Sequence, residues 1–250
     1  CTVTMPSALG LSLDVQLAGF MAGQVVQGPN NAFDGLMRLQ KAGIVTNRKK
    51  AANLGYSTTS LVMGSRELYD YVHMRAGVHM RPCSYTNWTE AIRQNAPFIA
   101  INTAIGIDLF GNVWADFIDA RKYYSGVGGQ PDFLRALNDP ATGTPIIAVK
   151  SVTDKGDSKI ARVHPPGVSL TASGYDGAVI VTEYGIADLR GLTAGGKALA
   201  IASIAHPSYR EGLLRFVYDD PLFTKPRDFT LGDTPQGVTL YRGGTKLPGE

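Results

Sequence analysis

A glycine-rich segment is the first place in this sequence where backbone groups could do chemistry. Residues 126–129 read Gly-Val-Gly-Gly and follow two tyrosines. Glycines let the backbone approach a ligand closely, and successive N–H groups can point at an anion or at an oxyanion that forms during a reaction. Pro131 stands where a dinucleotide-binding fingerprint needs its last glycine. The segment therefore predicts an anion or oxyanion loop, with a plain tight turn as the alternative.

Two polar side chains occupy positions that an enzyme could use. Asn87 ends the string Ser-Tyr-Thr-Asn, where the ordinary role of an asparagine is a turn or a helix cap. Glu183 follows the apolar run 179–181, and the sites of α/β proteins gather at the carboxyl ends of parallel strands. For Glu183 the structural alternative is an ion pair with a neighbouring arginine such as Arg190.

Other common catalytic signatures are missing from the sequence. The histidines are His73, His79, His164 and His206, and none has the spacing of a metal ligand, so no metal is expected. His206, in Ala-His-Pro, is expected at a helix end. There is no Gly-x-Ser-x-Gly string of the kind that presents a nucleophilic serine.

Composition narrows the class of protein. The chain has 250 residues, 44% of them hydrophobic, which is enough for a sizeable core. A dispersed net charge of +3 suits an anionic ligand and is too weak to predict nucleic-acid binding. Cys1 and Cys83 form no disulfide framework, which favours a reducing, cytoplasmic setting. The longest apolar region, 96–110, is too short and too polar to span a membrane.

Short β-branched runs alternate with stretches of helical periodicity. The predicted strands are 23–26, 58–63, 98–102, 146–149 and 178–182. The predicted helices are 33–40, 65–73 with Ser65 as the N-cap, 132–137 and 194–205. This alternation predicts an α/β fold with an open, largely parallel sheet that has helices on both faces.

Several strings together resemble the C-terminal half of the acetyl-CoA hydrolase/transferase family of CoA-transferases. They are Val-Thr-Glu-Tyr-Gly-Ile-Ala-Asp-Leu-Arg-Gly at 181–191, Ile-Ala-His-Pro at 204–207, Tyr-Ser-Gly-Val-Gly-Gly-Gln-Pro-Asp-Phe at 124–133 and Gly-Ser-Arg-Glu-Leu-Tyr-Asp at 64–70. The resemblance runs from about Met5 to about Phe216. It implies a CoA-transferase C-terminal-type catalytic domain over 1–221, followed by an extended tail over 222–250.

The resemblance also implies a reaction and a set of roles. CoA would pass from an acyl-CoA to a small carboxylate through glutamate attack on the thioester, a mixed anhydride and a glutamyl-CoA thioester. Gly129 N–H and the Asn87 amide would hold the thioester oxygen, and Glu183 would be a second glutamate beside the site. Coenzyme A would lie along the loop formed by Gly126, Val127, Gly128, Gly129 and Gln130.

The nucleophile position departs from the family pattern. In the family the nucleophilic glutamate stands four residues before an Asp-Gly pair that begins a helix. Asp34-Gly35 is that pair here, and the residue four positions earlier is Asn30. An amide is neutral and weakly nucleophilic, so Asn30 is expected to be inactive. The family's Gly-x-Gly-x-Ile-Pro loop also corresponds here to 1–6, Cys-Thr-Val-Thr-Met-Pro, which has no glycine.

Three interpretations follow for the protein as a whole. It is one subunit or half of a CoA-transferase, in a homo- or hetero-oligomer, with another chain supplying the family's N-terminal domain. Alternatively it hydrolyses acyl-CoA with Glu183 as the base, or binds acyl-CoA without turnover as a scaffold subunit. In a third interpretation even CoA binding has been lost. No nucleic-acid or membrane partner is expected.

Overall fold

The computed structural model describes residues 32–43, 45–62, 64–219, 223 and 233–241. The chain divides into two compact units. Unit 1 contains residues up to 100 and residues 128–144, and unit 2 contains residues 101–127 and 145–250. No helix in the described ranges has both the length and the apolar character needed to cross a membrane.

Helices and strands alternate along most of the described chain. The helices are α1 (Ala32–Lys41), α2 (Arg66–Val72), α3 (Cys83–Thr86), α4 (Thr89–Arg93), α5 (Gln130–Ala136), α6 (Ala194–Ser203) and α7 (Pro207–Asp219). The strands are β1 (Ser57–Thr59), β2 (Val78–Met80), β3 (Phe98–Thr103), β4 (Gly106–Asp108), β5 (Val113–Trp114), β6 (Phe117–Asp119), β7 (Lys122–Tyr123), β8 (Gly143–Ala148), β9 (Ile160–Ala161), β10 (Val179–Val181), β11 (Gly185–Asp188) and β12 (Val238–Leu240).

Unit 1 is built on two buried apolar clusters. One joins α4, the start of β3 and α5, and consists of Ile92, Phe98, Ala100, Phe133, Ala136 and Leu137. The other joins α1 and α2 through Met37, Val45 and Leu68. Burial of such side chains stabilises the unit by roughly 1.5–3 kcal/mol for each large one. The first cluster matters most for function because it fixes α5 against α4.

Polar contacts define where α1 and α2 begin. The Ser65 side chain accepts a hydrogen bond from Leu68 N–H at 3.2 Å, so Ser65 is the N-cap that the sequence predicts. The same hydroxyl donates to Asp34 Oδ1 at 2.6 Å. Asp34 lies in the first turn of α1, so one serine connects the starts of both helices.

Unit 2 contains most of a five-stranded sheet in the order β12-β11-β10-β8-β3. Strands β8 and β10 are parallel, whereas β11 is antiparallel to both β10 and β12. Helix α6 packs on β11 and α7. Residues 198–203 of α6 are all buried, and its many alanines allow this close packing.

The α/β prediction is confirmed, and so are strands at four of the five predicted runs. The run 23–26 lies outside the described residues, as does Asn30. The sequence reading missed α7 and the antiparallel strands β11 and β12. Residues 238–240 of the predicted tail form β12, the edge strand of the sheet. The domain boundary at 221 stays a prediction.

The pairing of β4 with β5 gives a prediction about side-chain packing in unit 2. Gly106 lies directly opposite Trp114, and a β-carbon at position 106 would overlap the indole ring. We expect Gly106→Ala to lower the free energy of unfolding by about 1–3 kcal/mol, as overpacking does. Chemical denaturation measures the change.

Gly212→Ala is the matched control. Gly212 is exposed on α7, and a β-carbon there would have nothing within 4 Å. Since alanine favours a helix over glycine, we expect this variant to be stabilised by roughly 0.5–1 kcal/mol. Equal effects of the two substitutions would contradict the packing described for Gly106.

Candidate active site

Gly129 lies where a side chain has no room. It is the N-cap of α5, its φ of −76° is ordinary for any residue, and it is buried. A β-carbon there would lie 2.5 Å from Asn87 Nδ2 and 3.3 Å from Phe133 Cε2. The glycine is therefore required by the close approach of the Asn87 amide and not by backbone conformation.

The Asn87 amide is oriented by its neighbours. Asn87 is the C-cap of α3, and its Oδ1 accepts a hydrogen bond from Thr86 Oγ1 at 3.0 Å. Its Nδ2 is 3.4 Å from Asp132 Oδ2, on the first turn of α5. Since an amide nitrogen only donates, these two contacts direct the donor end of Asn87 toward position 129.

Asn87 and Gly129, far apart in sequence, thus form one polar site within unit 1. Among the described residues, none accepts a hydrogen bond from the buried Gly129 N–H. A buried N–H without a partner is uncommon in native structures and calls for an explanation. Two donors, one on the backbone and one on the Asn87 side chain, are what an oxyanion of acyl transfer requires.

Glu183 belongs to unit 2 and is held by Ser151. Ser151 N–H lies 3.0 Å from Glu183 Oε2 and 3.2 Å from Oε1, and Ser151 Oγ donates to Oε1 at 2.5 Å. Ser151 is completely buried. Strands β8 and β10 are adjacent and parallel, so the residues that follow them meet at the same edge of the sheet.

Lys159 interacts electrostatically with Glu183. Burial lowers the pKa of the Lys159 ammonium, and the charge of Lys150 lowers it further, while Asp154 and Glu183 oppose that change. Lys150 itself forms an ion pair with Asp154 at 2.8 Å. Glu183 therefore belongs to a group of both positively and negatively charged side chains.

The remaining predicted site residues are divided between the units. Gly126 and Val127 are exposed and belong to unit 2, whereas Gly128, Gly129 and Gln130 belong to unit 1. The structure brings Asn87 and Gly129 together, and it shows Glu183 with partners of its own.

Sequence reasoning missed Thr86, Asp132 and Ser151 as residues that orient the site. For Ser151 a signal existed, since it follows a buried strand just as Glu183 does. No group of three or more histidine, cysteine, aspartate or glutamate side chains suited to a metal occurs in the described part of the chain.

Comparison with known proteins gives concordant matches. The family model for the acetyl-CoA hydrolase/transferase C-terminal domain matches residues 64–217. A 4-hydroxybutyrate coenzyme A transferase of Clostridium kluyveri is 39% identical over 184 residues, which cover 72% of this chain and 42% of that protein. A succinyl-CoA:acetate/propanoyl-CoA:succinate CoA transferase of Fasciola hepatica is 38% identical over 188 residues, covering 74% and 39%.

A solved structure matches as well. RipA from Yersinia pestis superimposes with a TM-score of 0.63 at 33% identity, over 72% of this chain and 39% of that one. The chain spans about two fifths of the length of the curated relatives that it matches.

The absence of space at position 129 gives a first prediction for the site. We expect Gly129→Ala to lower the free energy of unfolding by about 1–3 kcal/mol, because the added methyl group must displace the Asn87 amide or Phe133. Gly126→Ala is the control. A β-carbon at 126 meets only Tyr123 Oη, at an ordinary 3.7 Å, so a change within about 0.5 kcal/mol is expected. Chemical denaturation compares them, and a neutral Gly129→Ala would refute the close approach.

The Ser151–Glu183 contact gives a second prediction. We expect Ser151→Ala to destabilise the protein by about 1–3 kcal/mol, since a hydrogen bond to a charged group is lost. In a double-mutant cycle with Glu183→Ala, the two effects should be non-additive by roughly 0.5–3 kcal/mol. Thermal and chemical unfolding of the four proteins measure this coupling.

Ser208→Ala is the control for the serine deletion. Ser208 is exposed at the start of α7, so its loss should change stability by less than about 0.5 kcal/mol. Strict additivity of Ser151→Ala and Glu183→Ala would show that the two side chains do not interact in solution.

Proposed function

The chain belongs to the acetyl-CoA hydrolase/transferase family, and we propose that it is the part of a CoA-transferase that supplies the oxyanion-binding groups. In this proposal it acts in a homo- or hetero-oligomer. The carrying observation is the approach of Asn87 Nδ2 to the backbone of Gly129. Its substrates would be an acyl-CoA and a small carboxylate.

The geometry supports a specific role in thioester chemistry. When a carboxylate attacks the thioester carbon, the carbonyl π electrons move onto oxygen, and the resulting oxyanion needs donors that are already in place. Gly129 N–H and Asn87 Nδ2 are such donors. Collapse of the oxyanion breaks the carbon–sulfur bond, releases CoA as a thiolate and leaves an acyl anhydride on the attacking carboxylate.

Asn30 determines what this chain can do by itself. An amide has no carboxylate oxygen to attack the thioester or to leave again, so Asn30 cannot form the anhydride. We therefore infer that the attacking carboxylate stands at another position, in this protein or on a partner chain, or that the transfer step does not occur. The family contains hydrolases as well as transferases, so acyl-CoA hydrolysis is the alternative outcome.

The contacts of Glu183 favour acyl-CoA hydrolysis in one respect. Ser151 N–H and Oγ both donate to its carboxylate and hold it in a fixed position, as the geometry of a general base requires. Hydrolysis would require Glu183 to activate a water molecule. Binding of acyl-CoA without turnover is the remaining possibility.

The test measures two products with the assembly purified from its source. CoA transfer from acetyl-CoA or butyryl-CoA to a second carboxylate is followed together with the release of free thiol. Transfer that Asn87→Ala lowers on the order of 10²–10³-fold would support the proposal. Release of free thiol without transfer would instead establish the hydrolase. If neither product forms, binding of acyl-CoA is the function that is left.

Replacement of Asn30 tests its position directly. We expect Asn30→Glu to raise transfer above that of the unmodified assembly, because a carboxylate then stands at the place of the family nucleophile. The adjacent Asn31→Glu adds the same charge and should have no such effect. If both substitutions act alike, Asn30 does not occupy the nucleophile's position.

A further inference from the structure

A small polar cavity in unit 1 contains a buried lysine. The cavity has a volume of about 30 Å³, and its polar lining consists of Lys50, Asn53, Thr58, Tyr85, Thr86 and Asn95. Lys50 is only 4% exposed. Lysine is almost never buried to this extent without a partner of opposite charge, so its surroundings need an explanation.

Among the described residues, Lys50 has a hydrogen-bond partner but no counter-charge. Its Nζ donates to the carbonyl oxygen of Tyr56 at 2.7 Å. An ammonium group has three donors, and no aspartate or glutamate is among the residues that line the cavity. Burial lowers the pKa of Lys50 to about 8, and no acidic side chain contributes to raise it. At neutral pH a buried positive charge therefore faces this cavity.

Thr58 supplies a second donor to the same cavity. Thr58 is 4% exposed, and its Oγ1 has no hydrogen-bond partner among the described residues. The asparagines of the lining have partners of their own: Asn53 Nδ2 donates to Tyr85 Oη at 2.9 Å, and Asn95 binds the backbone of Ala52 and Ala91. Within the described part of the chain, the cavity thus presents a hydroxyl without a partner and an ammonium without a counter-charge.

We propose that this cavity is a binding site for one small inorganic anion of the halide class, held by Lys50 Nζ and Thr58 Oγ1. A volume of about 30 Å³ is enough to hold a water molecule, so the cavity has room for a small anion such as a halide. A water molecule would satisfy the donors and leave the charge uncompensated. An anion does both.

The site is connected to the oxyanion-binding pair. Tyr85 and Thr86 form part of its wall and belong to α3, and Thr86 Oγ1 also orients Asn87. Phe133 of α5 lines it from another side. A bound anion therefore stabilises the segment on which Asn87 depends. This inference stands independently of the proposed transfer or hydrolysis activity.

Anion binding is linked to the protonation of Lys50. The anion favours the ammonium form, so its affinity falls as pH rises through the pKa of the lysine. Among the described residues of the lining, Tyr85, on α3, is the one titratable side chain besides Lys50, and β1, α4, β3 and α5 contribute none. Tyr56 faces Lys50 through its carbonyl group, with its ring stacked on His79.

The experiment measures the melting temperature of the full chain in increasing sodium bromide, with sodium gluconate at equal concentration as the reference. At pH 7 we expect bromide to raise the melting temperature by roughly 2–4 °C in a saturable manner, and gluconate, whose anion is too large, to give no such rise. At pH 10 the difference between the two salts should disappear. Lys50→Met should abolish it at pH 7.

Lys49→Met is the matched control, because Lys49 is the neighbouring lysine and is exposed. This variant should retain the bromide effect in full. Equal responses to bromide and gluconate, or a bromide response that survives in Lys50→Met, would overturn the proposal.

Crystals of the unmodified chain soaked in bromide give a test that does not depend on any variant folding. An anomalous peak between Lys50 Nζ and Thr58 Oγ1 is the expected result. A cavity without such a peak, or one filled by an acidic side chain from outside the described residues, would show that there is no halide site.

Discussion

The site depends on one steric constraint: the amide nitrogen of Asn87 approaches the backbone at position 129 so closely that a β-carbon cannot fit between them. Maintaining this approach requires α5 to keep a fixed position relative to α4, which begins two residues after Asn87. The apolar cluster of Ile92, Phe98, Phe133 and Leu137 provides that rigidity, because closely packed side chains permit little relative movement. Thr86 and Asp132 then determine which end of the amide faces the glycine. Packing thus sets the distance between Asn87 and Gly129, and hydrogen bonds set which end of the Asn87 amide faces the glycine.

The constraint also explains how far sequence reasoning could reach. Ser65 at the start of α2 and the strand at 179–181 follow from local rules, since capping and β-branched runs act over a few residues. The proximity of Asn87 and Gly129 depends on tertiary packing that no spacing rule describes, and only the family resemblance indicated it. Helix α7 was missed although Pro207 stands at its first position, where proline is favoured. The buried state of Lys50 could not be read from Arg-Lys-Lys at 48–50, a string typical of an exposed turn.

Two kinds of charge arrangement distinguish the functional regions of the units. In unit 1 the donors of Asn87 and Gly129, together with buried Lys50, favour negative charge in a ligand. In unit 2 a carboxylate, Glu183, is already supplied with donors by Ser151. Under the proposed function, a nucleophilic carboxylate acts beside these groups, and the family resemblance gives its position to Asn30.

The most direct measurement of the central claim is the NMR response of Asn87 and Gly129 to a bound acyl group. Acetonyl-CoA retains the carbonyl group of acetyl-CoA in a form that cannot be cleaved. When it is added to the ¹⁵N-labelled protein, we predict that the side-chain NH₂ signals of Asn87 and the backbone N–H signal of Gly129 shift together, as donors to the same carbonyl oxygen. Saturable binding that leaves both signals in place would contradict the account, because the acyl oxygen would then be held elsewhere.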